Sequence, residues 1–580
     1  EIAAGGDASL TADVYSLGVM MHELLWGQRP PAPGVTAIPS RLLIGDRRIA
    51  EICADCLALD PADRVPRVDV LLRCLREWWR SWRRSEEVAD VVARADFLQR
   101  RAQDERTRAE QLNRRVQSLR ERIHPSAREV EKLPLWTLED DLLRTETDLH
   151  RIESDRMAAL LGALAIDPQS ALVRRRLAEL HRGLHEVAEA AGDSAASARH
   201  LAALSTFDDG THRDYIRGDG TIAVSANIET AVVEVRHLVT VRRRLVVGSV
   251  AWAGPAGEVS PALPAGRYEV RLAAEGFHEV RLCVRVGRSQ RWTNALPGSG
   301  EERPIQLIRL GRIGPDEAYI AGGPHLVGSA DQEASSLVPR SVWTDGFVIR
   351  KRCVTVADYI DFLDDLVRRD LHEEALERAP QQRGAADDVP LYLYGRRPDG
   401  TFFVRPDADG DPVHHDHPVT LIRPRDADAY ATWLAARTGE SWRLPFELEW
   451  EKAARSSDGR KYPFGDHIDA SWVRCLDYHP PGTALEMARV GEHPAGRSPH
   501  GIEQLLGNVY EMTASEHRVD GPIVAPDGTW SEEPCPFEDS RVVRGGAWGR
   551  DISRCRSAHR SLIGNHRTML VGFRLVRGLD

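Results

Sequence analysis

The sequence predicts a multidomain chain: helices over roughly the first two hundred residues, then a small antiparallel β module, then a large C-terminal domain. Three observations carry this reading. The 580 residues exceed what a single core serves. Small and apolar residues at Val88, Val91, Ala95, Leu98, Ala102, Ala109, Leu112, Val116, Leu119 and Ile123, with Glu105 the one polar position, recur at steps of three and four, which is a helical seam. After Gly218-Asp219-Gly220 the pattern changes to short alternating runs separated by Gly and Pro, the period of strands. The boundaries fall at residues 1–80, 81–125, 126–215, 216–300 and 318–580.

Composition narrows the function classes. A net charge of -11 gives no reason to expect a nucleic-acid or anionic-membrane partner, and the run Arg242-Arg243-Arg244 reads as a solvated strand face. Eight cysteines without repeated spacing do not form a disulfide framework, so reduced thiols and a cytoplasmic location are expected. Cys53 and Cys56 form a CxxC, but no second ligand pair accompanies it. No apolar run is long enough for a membrane span.

Asp13 to Gly27 is an apolar helix closed by Gly27 and Pro30. With Leu57-Ala58-Leu59-Asp60-Pro61-Ala62-Asp63-Arg64 it resembles the C-terminal lobe of Ser/Thr protein kinases. The resemblance implies that Glu1 is the glutamate of the Ala-Pro-Glu motif, Arg64 its salt-bridge partner, and Asp13 the residue tying the catalytic-loop backbone. The phosphate-cradling loop, the strand lysine and the His-Arg-Asp and Asp-Phe-Gly motifs are absent from these residues. ATP and magnesium are therefore expected only in a longer parent kinase, of which this chain reads as a fragment.

The seam over Val88–Ile123 implies a long helix ending at Pro125, which pairs with a second chain in a coiled-coil dimer or folds back on its own neighbours, the alanines favouring the latter. Leu161 to Pro168, followed by Leu177-Ala178-Glu179-Leu180-His181, resembles a tetratricopeptide-like helical pair. His181 and His185 stand at i and i+4, read as a solvated helix face. In the β module, runs at Thr221–Val224, Ala231–Arg236, Leu238–Arg242, Tyr268–Leu272 and Glu279–Val286 imply an antiparallel sandwich. Leu263 to Tyr268 with Glu275-Gly276-Phe277 resembles the PEGA-type module, an interaction or spacing domain.

From Ala318 the matches form an ordered series. They include Gly322-Gly323, Asp345-Gly346-Phe347, His417-Pro418-Val419, Trp442 to Arg455, Leu506 to Thr513, Arg544-Gly545-Gly546-Ala547-Trp548 and Gly572-Phe573-Arg574-Leu575. The region resembles the formylglycine-generating-enzyme (sulfatase-modifying factor) family, which implies an α+β, C-type-lectin-like fold. Active members carry two cysteines five residues apart that hold copper through two sulfurs. Here those positions are Arg550 and Cys555, so the resemblance implies a degenerate site and copper is not expected. Cys555 reads as a reactive thiol beside Arg550, Arg554 and Arg556 or as a small buried filler, the latter preferred. A sulfur from Cys535 or Cys475 beside Cys555 at metal-bridging distance would overturn the non-catalytic reading.

The family's Asn-x-x-Glu segment, here Asn508 and Glu511, implies a structural calcium. His414-His415-Asp416-His417 is metal-like in composition, but adjacent residues of an extended chain point to opposite faces. Ligand-binding relatives vary between their last two conserved strands. The corresponding polar set here, Trp548, Arg550, Asp551, Ser553, His559, Asn565, His566 and Thr568, is the candidate pocket for an unknown ligand or protein. Three functions follow: a signalling protein of Ser/Thr kinase type with a non-catalytic C-terminal sensor, a copper-dependent oxidase making formylglycine, or a retroelement-diversified lectin-fold binder.

Overall fold

The computed structural model describes residues 10–30, 47–123, 127–329, 335–383, 390–406, 410, 412–483, 485–536 and 540–579. Glu1 and Pro125 lie outside them. The chain forms two compact units, Glu1–Ile216 and Arg217–Asp580.

The first unit is helical. Helices α1 (Leu10–Trp26) and α2 (Arg47–Cys56) bury Val14, Leu25, Ile49, Ala50, Ile52 and Cys53. Arg64 lies over the Tyr15 ring at 4.7 Å and donates to the carbonyls of Ala58 (2.7 Å), Leu59 (3.2 Å) and Thr11 (3.4 Å), while Asp13 is exposed. Helix α3 (Val68–Arg122) runs unbroken across positions 80 and 81 and packs along α4 (Glu129–Ile166). Its seam residues Val88, Ala95, Leu98, Ala102, Leu112 and Val116 are buried within the chain; part of the seam joins Leu160 and Ala163 of α4 and Val173 and Leu177 of α5 (Ala171–Ala191). A partner for this seam is present within the chain: α3 and α4 run antiparallel, Arg120 meeting Glu139 (2.8 Å) and Gln99 meeting Arg156 (2.9 Å).

Between α5 and α6 (Ser194–Phe207) the two histidines are inward rather than solvated. His181 Nδ1 meets His200 Nδ1 at 3.1 Å. His185 bonds the Tyr215 hydroxyl (2.8 Å) and the Ser197 hydroxyl (3.1 Å). A right-sized polar partner on the facing helix outweighs hydration here.

The second unit begins with strands β1 (Asp219–Ala223), β2 (Val232–Val241), β3 (Arg244–Pro255), β4 (Leu263–Pro264), β5 (Gly266–Ala273), β6 (Val280–Val286) and β7 (Arg291–Thr293). One sheet has the order β3-β2-β5-β6, all antiparallel, and the other β4-β1-β7. Two expectations are corrected. The β1–β7 pair is parallel, which the long connection through β2–β6 permits. The runs 231–236 and 238–242 are one strand with a register shift at Arg236, and Arg242 and Arg243 are not a strand face but the turn between β2 and β3, at φ +47° and +68°. Two left-handed residues in a two-residue turn match the twist of the flanking strands.

The remainder is α+β. Strands β8 (Glu317–Ile320), β9 (Gly323–Val327), β10 (Arg340–Thr344) and β11 (Phe347–Arg350) precede α7 (Val356–Arg368), α8 (Pro424–Thr438) and α9 (Glu447–Arg455). Then come β12 (Tyr510–Glu516), β13 (Arg541–Arg544), β14 (Arg560–Ile563), β15 (Val571–Gly572) and β16 (Val576–Arg577). The main sheet has the order β14-β13-β12-β15, and β16-β11-β8 ties the domain's end to its start. Helix α9 is buried all round although half of it is charged, so each charge requires a partner. Arg560 clamps Glu447 (2.7 and 2.9 Å), Arg443 clamps Glu449 (2.7 and 2.7 Å), Arg455 and Arg544 share Glu451, and Lys452 donates to the carbonyls of Thr344 (2.8 Å) and Gly323 (3.0 Å). The Trp442–Arg455 block is therefore a structural ion-pair core.

A candidate site around a buried thiol pair

Strand β13 leads into Gly545 and Gly546, at φ +98° and +80°. Both need to be glycine: a Cβ would stand 2.5 Å from the Leu505 carbonyl oxygen in one case and 2.7 Å from the Cys555 sulfur in the other. The reversal carries the chain outward through Trp548 and Arg550 to a 3-10 turn, Ile552–Arg554, and returns it inward at Cys555. A second 3-10 turn, Leu476–Tyr478, begins at Cys475. The two turns hold each other reciprocally: Leu476 N donates to Arg550 O (2.8 Å), and Ile552 N donates to Asp477 Oδ2 (2.6 Å).

This cross-bonding brings Cys475 into side-chain contact with Cys555, both at 0% exposure in one apolar cluster with Ile502, Leu505 and Val473. The Cys555 thiol turned toward Cys475 lowers the Cys475 pKa, helped against burial by the N–H groups of Asp477 and Tyr478. The same contact, then burial, pushes Cys555 well up. The expectation that Cys555 lacks a second sulfur is therefore overturned. Arg550 does stand on the loop where the first thiol was sought, but its place beside Cys555 is taken from another segment, a juxtaposition without a local sequence signal.

By donor type two sulfurs suit soft monovalent copper. The enclosure does not suit the oxidase: a substrate thiol would have to reach a pair whose side chains have no exposed surface. No cluster of three or more His, Cys, Asp or Glu side chains able to hold a metal occurs among the described residues.

The oxygen pair expected to hold calcium is committed elsewhere. Glu511 accepts from Arg574 at both oxygens (2.5 Å each) and from Trp450 Nε1 (2.7 Å). Asn508, at φ +63°, exchanges both amide bonds with Ala488 (2.9 and 3.0 Å), and its carbonyl receives Trp548 N (2.8 Å). A cation there would have to displace the guanidinium of Arg574. His414 faces Arg489 (3.1 and 3.2 Å).

The polar set divides. Arg550, Asp551 and Ser553 are exposed on the Cys555 loop, where the Ser553 hydroxyl holds the Asp551 carboxyl below its usual range. Asn565 and His566 are exposed on the loop after β14, Thr568 is half-buried, and Trp548 bonds the Met569 carbonyl (3.4 Å), joining the two loops. His559 does not belong to that surface. It is buried against Ser335 (2.9 Å), and burial together with Arg544, Arg556 and Arg554 lowers its pKa to about 4.

Residues 310–579 match the family model of the sulfatase-modifying factor enzyme 1-like domain. Among curated proteins, a hercynine oxygenase of Mycolicibacterium thermoresistibile is 35% identical over 178 residues, 28% of this chain and 37% of that protein. The Ser/Thr-protein kinase Pkn1 of Chlamydia trachomatis is 27% identical over 257 residues, 42% of this chain and 35% of the kinase. An inactive C-alpha-formylglycine-generating enzyme 2 of Mus musculus is 26% identical over 255 residues, 40% and 74% of the two chains. The chain thus spans little more than a third of the hercynine oxygenase and of the kinase.

Proposed function

We propose that residues 310–579, which match the family model of the sulfatase-modifying factor enzyme 1-like domain, serve as a non-catalytic ligand-binding module of a signalling protein of Ser/Thr kinase type. One observation carries the reading: the sulfurs sit at 0% exposure beneath a loop whose outward residues are Arg550, Asp551 and Ser553. That surface offers hydrogen bonds and a guanidinium that has no carboxylate in ion-pair range among the described residues, which suits recognition of an anionic, polar ligand. Support comes also from the match to an enzyme named inactive, and, for the kinase context, from the Pkn1 match and from the Arg64 anchor on α1.

Cys475 beside Cys555 favours a second reading, a copper-dependent oxidase using these two sulfurs in place of the family's closely spaced pair. A single experiment separates the two. The full chain, loaded with Cu(I) and offered a Cys-x-Pro-x-Arg peptide under air, is expected to leave the peptide thiol unconverted by mass spectrometry. In a thermal-shift screen of carboxylates and phosphates, a stabilising compound should lose its effect in Arg550→Ala. Aldehyde formation on the peptide would establish the oxidase reading instead.

A further inference from the structure

Cys475 and Cys555 are 80 positions apart, yet the fold packs them into one apolar cluster, both at 0% exposure, between two turns that share hydrogen bonds on either side of them: Leu476 N to Arg550 O at 2.8 Å and Ile552 N to Asp477 Oδ2 at 2.6 Å. Gly546 gives way to the Cys555 sulfur by lacking a side chain. The other described cysteines of the second unit do not share this arrangement. Cys353 is engaged by Glu511 and Arg574, Cys535 by the carbonyls of Pro536 and Ser540, and Cys283 lies in the seam with the β module.

We propose that Cys475 and Cys555 are a modification site, a thiol pair that closes to a disulfide and locks the Arg550 loop onto the Leu476–Tyr478 turn. The proposal goes beyond the functional reading above and holds whether or not the domain is catalytic.

The oxidant is a peroxide, small enough to enter when the two turns briefly part, since in the closed arrangement neither side chain has exposed surface. Cys475 is the attacking sulfur, its thiolate favoured by the Cys555 thiol and by the N–H groups that open the turn. It bonds to one peroxide oxygen as the O–O bond breaks, leaving a sulfenic acid and hydroxide, which takes up a proton to become water. The Cys555 sulfur then attacks the Cys475 sulfur. The S–O bond breaks, and the departing hydroxide leaves as a second water with the Cys555 proton. Two thiols lose two electrons and one peroxide gains them. The bond fixes the backbone beneath Arg550, Asp551 and Ser553, so oxidation acts on the outward surface without touching it.

The test uses the full chain, reduced and then treated with hydrogen peroxide, followed by non-reducing peptide mapping and melting. Expected are one cross-linked peptide joining Cys475 to Cys555, reversed by dithiothreitol, and a rise in melting temperature of roughly 5–10 °C for closing so long a loop. Cys535→Ser should keep both effects, and Cys555→Ser should lose both. The mapping on unmodified protein stands even if a variant fails to fold. Sulfinic acid at either cysteine without cross-link, or an unmodified pair after the other thiols have reacted, overturns the proposal.

Discussion

Glu511 has no exposed surface and accepts hydrogen bonds from Arg574 and Trp450, with the Cys353 thiol also directed at it. A buried ion pair contributes little net stability relative to an apolar replacement, but removing one partner strands the other charge. Glu511→Gln is therefore expected to destabilise the C-terminal domain by about 3 to 5 kcal/mol in urea denaturation. Adding calcium or EGTA should leave its melting temperature unchanged, because the guanidinium already fills the role of the cation. A loss below about 1 kcal/mol, or a calcium-dependent melt, would return the site to the oxygen-ligand reading. The sequence motif containing Asn508 and Glu511 was legible, but the identity of the partner was not. Arg574 lies 63 positions away, and no periodicity connects the two.

At the scale of elements, the long helix α3 illustrates what a pattern conveys. The three-four repeat specifies a helix with one apolar seam, and a helix of 55 residues forms. The same repeat is silent on whether the opposing seam belongs to another chain. Leu160 of α4, at 0% exposure, supplies part of it among Val88, Val92 and Ala95. Leu160→Ala should cost about 2 to 5 kcal/mol, read as an early loss of helical circular dichroism, whereas exposed Leu161→Ala should change stability by less than about 0.5 kcal/mol. Equal effects of the two would mean that the α3–α4 seam is not where this helix pair is held. Helix α9 makes the converse point: its sequence is rich in charge, and the guanidiniums and backbone carbonyls of other segments allow it to be central.

Across the whole molecule, both compact units bury histidines in neutral form. Burial, then the neighbouring His200, lowers His181 to about 4; burial, then the surrounding arginines, does the same to His559. In the unfolded chain these rings titrate near 6.5, so below that pH the unfolded state binds more protons and stability falls as pH falls, down to the folded pKa. Each group contributes up to roughly 3 kcal/mol over that window. Melting temperature is expected to decrease from pH 7 to pH 5 in both units, with His559→Asn flattening the decrease of the second. A melt independent of pH across this range would mean that these rings take up protons in the fold as readily as in the unfolded chain.

Sequence alone determined the local periods and the ordered blocks of the C-terminal domain, because helical seams, strand alternation and left-handed glycines act over a few neighbouring residues. Tertiary structure decided which distant groups meet: Cys475 with Cys555, Arg574 with Glu511, α4 with the seam of α3. Those pairings are made where chain segments far apart are packed into one low-dielectric interior, and there the geometry of packing selects the partner of each thiol and charge.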